Sequence, residues 1–358
     1  MPEAALSFSH DVPTVRLPRL RAVVNETVIV GPSSAHVTHH SSCIAATFSL
    51  LIPLTGAAGP NIQQWLSFNK IHVRIQIATT PAGRFTDLIE GYCDTIQVHP
   101  TSHYLRLDGR DRSATLLDSK TSADFQNQTA SEIVTSLADR HGLTPVTASI
   151  SDYVGRRYAS NTNIVTLTQF AKLTSDWDIL VALAQASGFD LFVAGTSLHF
   201  QPGATSSDPA QDIPFPSLLG IRMSRSLSLS NGVQVTVASW NSAIGSAIAE
   251  SADTTAPNSS DTLTQTPTRK YTMMQPNLSS ANAKALATQV AETISGEAMS
   301  IQFEMPGEIS LDPRRPIRLS GSGTNFDSIY KIGTIVRSYR SHSGFSQAVS
   351  AKSLGGSF

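Results

Sequence analysis

Residue types used in catalysis and metal binding occur at several places in this chain. His36-Val37-Thr38-His39-His40 supplies imidazoles, but side chains at 36 and 40 converge on one ion only from a helix, and this stretch has the character of loop or strand. No carboxylate or thiol stands beside it, so a solvated loop is expected. Asp108, Asp111 and Asp118, interleaved with Arg106, Arg110 and Arg112, offer two readings. One is an acid pair with phosphate-binding arginines; the other is charges on alternating faces of a strand-to-loop junction, pairing locally. Local pairing is the expectation. Ser113 and His141 lack the flanking elbow and third partner of a nucleophilic site. Gly321-Ser322-Gly323 is followed by neither Lys-Ser/Thr nor a helix, so it is no phosphate loop.

The remaining candidates are equally plain. Basic knots at Arg16, Arg19 and Arg21, at Arg156 and Arg157, and at Arg314 and Arg315 are not interleaved with aromatics as a nucleic-acid track would be. Cys43 and Cys93 are too few for a disulfide framework or a structural metal site and are expected as buried free thiols in strands. Trp177 and Phe189 are expected in a core. No catalytic, cofactor-binding or metal-ligating residue is therefore assigned: the expected protein is not an enzyme, holds no cofactor and serves structure or interaction.

Composition points the same way. In 358 residues the charged types make up 15% and the net charge is −1, which leaves no global signature for nucleic acid or an anionic membrane. Neither partner is expected. The N-terminus has no basic stretch followed by an apolar core, and the apolar run Cys43 to Leu54 is too short to span a bilayer. Synthesis in a cytoplasm is the expectation.

The elements that would position these residues follow from periodicity. Residues 1–17 lack it and are expected as an N-terminal tail; 18–109 alternate as a β meander, clearest in Ile71-His72-Val73-Arg74-Ile75-Gln76-Ile77, with a bulge or tight bend at Glu90-Gly91-Tyr92. Residues 110–202 change character. Thr129 and Glu132 open a helix as a capping box, Ile133, Val134, Leu137 and Ala138 make its apolar face, and Gly142 closes it. Ser175 and Asp178 open a second helix carrying Trp177, Leu180, Val181 and Ala184, Gly188 ends it, and a hairpin follows with its turn at Ala194-Gly195-Thr196. A linker at 203–213 leads to a second β segment, 214–358, with a third helix over 279–295 closed by Gly296. Residues 241–269, nearly free of aliphatic side chains, are expected as a flexible or partner-ordered loop. The fold class is α+β, mostly β: two β-barrel-like domains with an inserted small α/β module.

Six phrases in order carry a family resemblance: GRDRS followed by LLD, FQNQTASEI, LADRHGL, SDWD, GFDLFV and LHFQP. Together they resemble the late control D family, the baseplate central hub proteins of contractile-tailed bacteriophages, related to the N-terminal part of the type VI secretion spike VgrG. The likeness is dense over 104–202; outside it only the β patterning and the closing phrase GFSQAVSAKS fit. The resemblance implies a homotrimer whose paired barrels make a pseudo-six-fold ring, adapting a hexameric tail tube to a trimeric central spike. Implied partners are other copies of the chain, the spike, the tail tube or a tube-initiator ring, and baseplate wedge proteins. The implied location is the virion, in the tail baseplate, assembled in the host cytoplasm. A tail-associated peptidoglycan hydrolase and a carbohydrate-binding β-protein are the alternatives. The first lacks a catalytic constellation, and the second lacks exposed aromatic platforms.

Overall fold

The computed structural model describes residues 17–54, 61–80, 83–121, 125, 128–150, 153–154, 174–229, 232–241, 245–254, 269–275 and 278–354. The N-terminal tail, Arg156 and Arg157 lie outside them, apart from residue 17. The first segment comprises β1 (Arg19–Val24), β2 (Thr27–Val30), β3 (Ser34–His40), β4 (Thr47–Pro53), α1 (Ile62–Ser67), β5 (His72–Ala78), β6 (Thr86–His99) and β7 (Tyr104–Asp111). The middle comprises α2 (Ala114–Asp118), β8 (Lys120–Thr121), β9 (Gln128–Thr129), α3 (Ala130–Arg140), β10 (Thr144–Thr147), β11 (Tyr153–Val154), β12 (Thr174–Ser175), α4 (Asp176–Ser187), β13 (Phe189–Ala194) and β14 (Ser197–Pro202). The last segment holds β15 (Gln211–Pro214), β16 (Gly220–Arg225), β17 (Val233–Asn241), β18 (Ser246–Thr254), β19 (Arg269–Met274), α5 (Ser280–Gly296), β20 (Met299–Pro306), β21 (Pro316–Ser320), β22 (Ile329–Arg340) and β23 (Gly344–Ser353).

The α+β, mostly β class holds. The β material runs as one large sheet in the order β16-β20-β23-β22-β3-β4-β7-β6-β5-β1-β2, with β21 on β22 and β15 parallel to β21. No barrel closes among the described strands. The link between first and last segments is β3, whose residues 34–40 pair antiparallel with 334–340 of β22. Sequence reasoning leaves this stretch as a loop because Ser34, His36, Thr38, His39 and His40 mask the buried alternation of Ala35 and Val37.

Local rules account for the middle segment. Thr129 accepts from the Glu132 amide while the Glu132 carboxylate accepts from the Thr129 amide, and Ser175 and Asp178 repeat the exchange. Gly142 and Gly188 take left-handed backbones, φ +66° and +69°, at the two helix ends. Helices α3 and α4 bury Ile133, Val134, Leu137, Trp177, Leu180 and Leu183 with Leu191, Leu198 and Phe200 of the mixed sheet β10-β14-β13.

Four expectations are corrected. Residues 246–254 are not loop: β18 pairs with β17 along its whole length, and its half-buried face, including Ile248 and Ala252, packs toward α5. Small side chains suffice there because α5 presents Ala283, Ala287 and Ala291, all buried. The remainder of that stretch, 255–268, lies outside the described residues. The 203–213 linker already contains the start of β15. The bulges of β6 fall beside Leu88 and Asp94 rather than at 90–92; Gly91 answers a different need, since a Cβ there would stand 2.0 Å from the Arg110 carbonyl oxygen. Gly296 is the last residue of α5 without a left-handed backbone, and a Cβ on it would meet the Ser353 carbonyl oxygen at 2.8 Å.

Candidate functional site

Antiparallel pairing of β3 with β22 sets Val37 opposite Arg337 and His39 opposite Ile335, so His39 and Arg337 share one face of the sheet. That face borders a cleft of about 450 Å³ where the three segments meet. The first segment contributes His39, Glu90 and Asp111, the middle one the β13–β14 turn at Gly195, and the last one the loop 309–315 and Arg337.

Arg337 dominates the cleft. It is 6% exposed, donates to the Leu311 carbonyl and lies 3.4 Å, Nη1 to Nδ1, from the His39 ring; its Nε has no partner among the described residues. Burial first, then the charges of Arg337 and Arg314, pushes the His39 imidazole down to about 3, so the ring is neutral and its Nδ1 can accept. Burial likewise pushes Arg337 down to about 10, against the attraction of Asp312. Arg314 lies over the Phe192 ring at 4.0 Å and donates to Asp312 at 3.3 Å, while its Nε is unpartnered among the described residues.

The acidic groups of the cleft are already engaged. Asp111 accepts from the Ala46 amide at 3.0 Å with one oxygen and from the Ser113 amide and hydroxyl with the other, and burial raises its carboxyl. Glu90 receives Arg112, Arg74 and His72. Burial raises its carboxyl, but the Arg112 hydrogen bond and charge, with Arg74 and His72, outweigh that and hold it below the ordinary value. Around the cleft the segments are stitched together: the Cys43 amide donates to Leu191 at 2.7 Å, the Leu191 amide donates to the Ser42 hydroxyl at 2.9 Å, and Lys331 bridges both Asp190 oxygens at 3.0 Å.

The chemistry candidates are dispersed. His36 bonds to Ser338 at 2.9 Å and His40 to Thr334 at 3.2 Å, on the sheet face opposite His39. Asp108 pairs with Arg106, and Asp118 and Asp94 with Arg110, which sends only Asp111 into the cleft. Ser113 is fully buried against Asp111. Gly321 and Gly323 make a turn whose amides at 322 and 323 donate to Asp327. Trp177 is core and Phe189 half-buried against the same cluster; Cys43 and Cys93 are free and half-buried. His141 does have a partner that sequence reasoning missed, the fully buried Asp176 at 2.7 Å. The two residues stand 35 positions apart with no shared motif, so only the packing of α3 against α4 reveals the pair. Among the described residues no group of three or more His, Cys, Asp or Glu could hold a metal ion, and no helix is long and apolar enough to cross a membrane.

The surface offers another kind of site. β2 and β16 end the large sheet, each with a single strand neighbour among the described residues. Val28 and Val30 on the first edge are 47% and 79% exposed, and Leu219 beside the second is 69% exposed. Helix α5 covers one face of the sheet β18-β17-β19; on the other, Ala238 pairs with Ala249 and Met274, and Trp240 with Ala247. Met274 is 85% and Trp240 58% exposed there. Open strand edges and clustered exposed apolar side chains are features of chains that bury surface against partners.

Comparison with known proteins places the fold. A family model described as the Alg8 N-terminal domain matches residues 91–339, more than half of the chain. No curated protein matches. Among solved structures, the 43 kDa tail protein of prophage MuSo2 from Shewanella oneidensis is similar at 13% identity and a TM-score of 0.65, over 95% of this chain and 99% of that one. A tail protein from Neisseria meningitidis MC58 is similar at 14% identity and a TM-score of 0.66, over 94% and 97%. The E. coli c3393 protein, a type VI secretion component with structural similarity to the T4 tail proteins gp27 and gp5, is similar at 13% identity and a TM-score of 0.58, over 93% and 76%. The chain has the fold of these proteins.

Proposed function

The chain belongs to the family of the Alg8 N-terminal domain, and from its fold and open sheet edges we propose that it is a non-enzymatic structural protein of a phage tail or tail-like particle. The observation that carries this reading is a likeness to two tail proteins that spans nearly the whole of both chains. The finer reading takes up the late control D resemblance of residues 104–202. In it the protein is a baseplate hub, a homotrimer that meets the tail tube on one side and the trimeric central spike on the other, with wedge proteins around it.

Symmetry gives this reading its physical logic. Segments 18–109 and 214–358 would act as two similar hub domains flanking the 110–202 module, so three copies would present six comparable units to a hexameric tube. Such an obligate assembly buries well over ~2,000 Å². The β2 and β16 edges, which have a single strand neighbour each among the described residues, and the Trp240–Met274 face would supply strand edges and apolar area for it. The test is the copy number and position of the protein in the intact particle by electron microscopy. Three copies at the junction of tube and spike are expected. Six copies in a stacked ring, or purified protein that degrades peptidoglycan, would overturn the proposal.

A further inference from the structure

We propose that the cleft between β22 and the 309–315 loop is a binding site for an oxyanion, a phosphate or carboxylate group held by Arg337 and Arg314. Arg337 is 6% exposed, on a strand position whose neighbours along the same face are Ile335 and Tyr339. Its hydrogen-bond partners among the described residues are the Leu311 carbonyl and the neutral His39 ring, and neither carries a compensating charge. A cation taken out of water without a charged partner is costly, and a guanidinium keeps its charge rather than shed it at neutral pH. Its neighbour Arg314 gives one side-chain nitrogen to Asp312 and, among the described residues, leaves Nε unpartnered, as Arg337 does.

Internal neutralisation is only partial: Asp312 and Glu308 attract Arg337, but Asp312 Oδ1 is already taken by the Arg314 amide and guanidinium. Asp111 is satisfied by two amides and a hydroxyl, Glu90 by Arg112, Arg74 and His72, and Asp87 by the Gln76 amide nitrogen at 2.5 Å. What the two Nε groups lack among the described residues is an acceptor. An oxyanion supplies one, and guanidinium N–H groups bind such oxygens through charge-assisted hydrogen bonds. The cleft, about 450 Å³, has room for a phosphate or a carboxylate side chain with its waters. Arg315, exposed at the rim, adds positive charge at the entrance. The inference does not rest on a role in a phage tail and would stand if that role failed.

The experiment is thermal unfolding of the full chain at constant ionic strength, with chloride replaced stepwise by inorganic phosphate or by succinate. A saturable rise in Tm is expected, as for any ligand that binds only the folded state. A larger response to phosphate assigns the site to a free phosphate, and a larger response to succinate assigns it to a carboxylate such as an acidic side chain of a partner. Either supports the proposal. Arg337→Met should fold, with a Tm in chloride at or above the wild-type value, and lose the response. Arg314→Met should need about tenfold more anion for the same shift, and it serves as the comparison if Arg337→Met does not fold. A wild-type Tm indifferent to both anions, or variants that respond as the wild type does, would overturn the proposal.

Discussion

Trp177 and Thr129 test whether the middle segment is held by its core and caps in the proportions the structure indicates. Trp177 is 4% exposed, packed in the cluster shared by α3, α4 and the sheet β10-β14-β13. A tryptophan buries about 150–250 Å², which at about 25 cal/mol per Å² corresponds to roughly 4–6 kcal/mol of transfer free energy. Alanine retains part of that area, so Trp177→Ala should cost about 3–5 kcal/mol. Thr129 instead satisfies one orphan amide at the start of α3, through a 3.3 Å bond to the Glu132 amide nitrogen, and Thr129→Ala should cost about 1 kcal/mol. Hydrogen exchange read by mass spectrometry separates the two. Opening of the 128–147 and 175–202 peptides should become roughly 150- to 4,000-fold more frequent in the first variant and about fivefold in the second, at about 1.4 kcal/mol per decade. Equal and negligible changes would mean that neither the cluster nor the cap stabilises the segment, and the reasoning would fail.

Two further outcomes follow from positions where the backbone or a charge is constrained. His39 is neutral in the fold, and its folded value of about 3 lies below the ordinary imidazole value of 6.5. Between those values the unfolded chain binds the extra proton, so stability falls as pH drops from about 6.5 toward 3. His39→Gln should flatten that slope in denaturant midpoints measured at pH 7 and pH 5, and an unchanged slope would refute it. Gly296→Ala should destabilise despite the gain of about 1 kcal/mol in helix propensity, because its Cβ would stand 2.8 Å from the Ser353 carbonyl oxygen; a higher Tm would show that α5 yields without cost.

How much was legible in the sequence depends on how far apart the partners lie. The capping boxes at Thr129 and Ser175 and the left-handed Gly142 and Gly188 were readable because every group involved sits within a few residues. The mostly β class was readable from alternation in strands such as β5, where Val73, Ile75 and Ile77 are fully buried. β18 was not. Its Ala247, Ala249, Ser251 and Asp253 face outward, and the inward face needs little bulk because the alanine row of α5 lies against it. A strand that packs on a helix of small residues carries no strong alternation, and composition alone made it look like loop.

The cleft was hidden for a related reason, yet it left a trace. His39 and Arg337 are 298 positions apart and meet only because β3 pairs with β22. On the face toward the cleft β22 carries Ile335, Arg337 and Tyr339 and β3 carries Ala35, Val37 and His39, so each strand breaks its own apolar pattern once. A single break of this kind in an edge strand is solved by turning the side chain to water. Here the two breaks fall on one face of a strand pair interior to the large sheet, where turning out is closed to both. A fold consistent at most levels tends to set aside its rules where something other than stability is at stake. The paired breaks at 39 and 337, visible in the sequence only once the strands are known to be neighbours, are therefore the mark by which such a polar cleft can be found from pattern, and they point to an arginine with no carboxylate among its hydrogen-bond partners in the described residues.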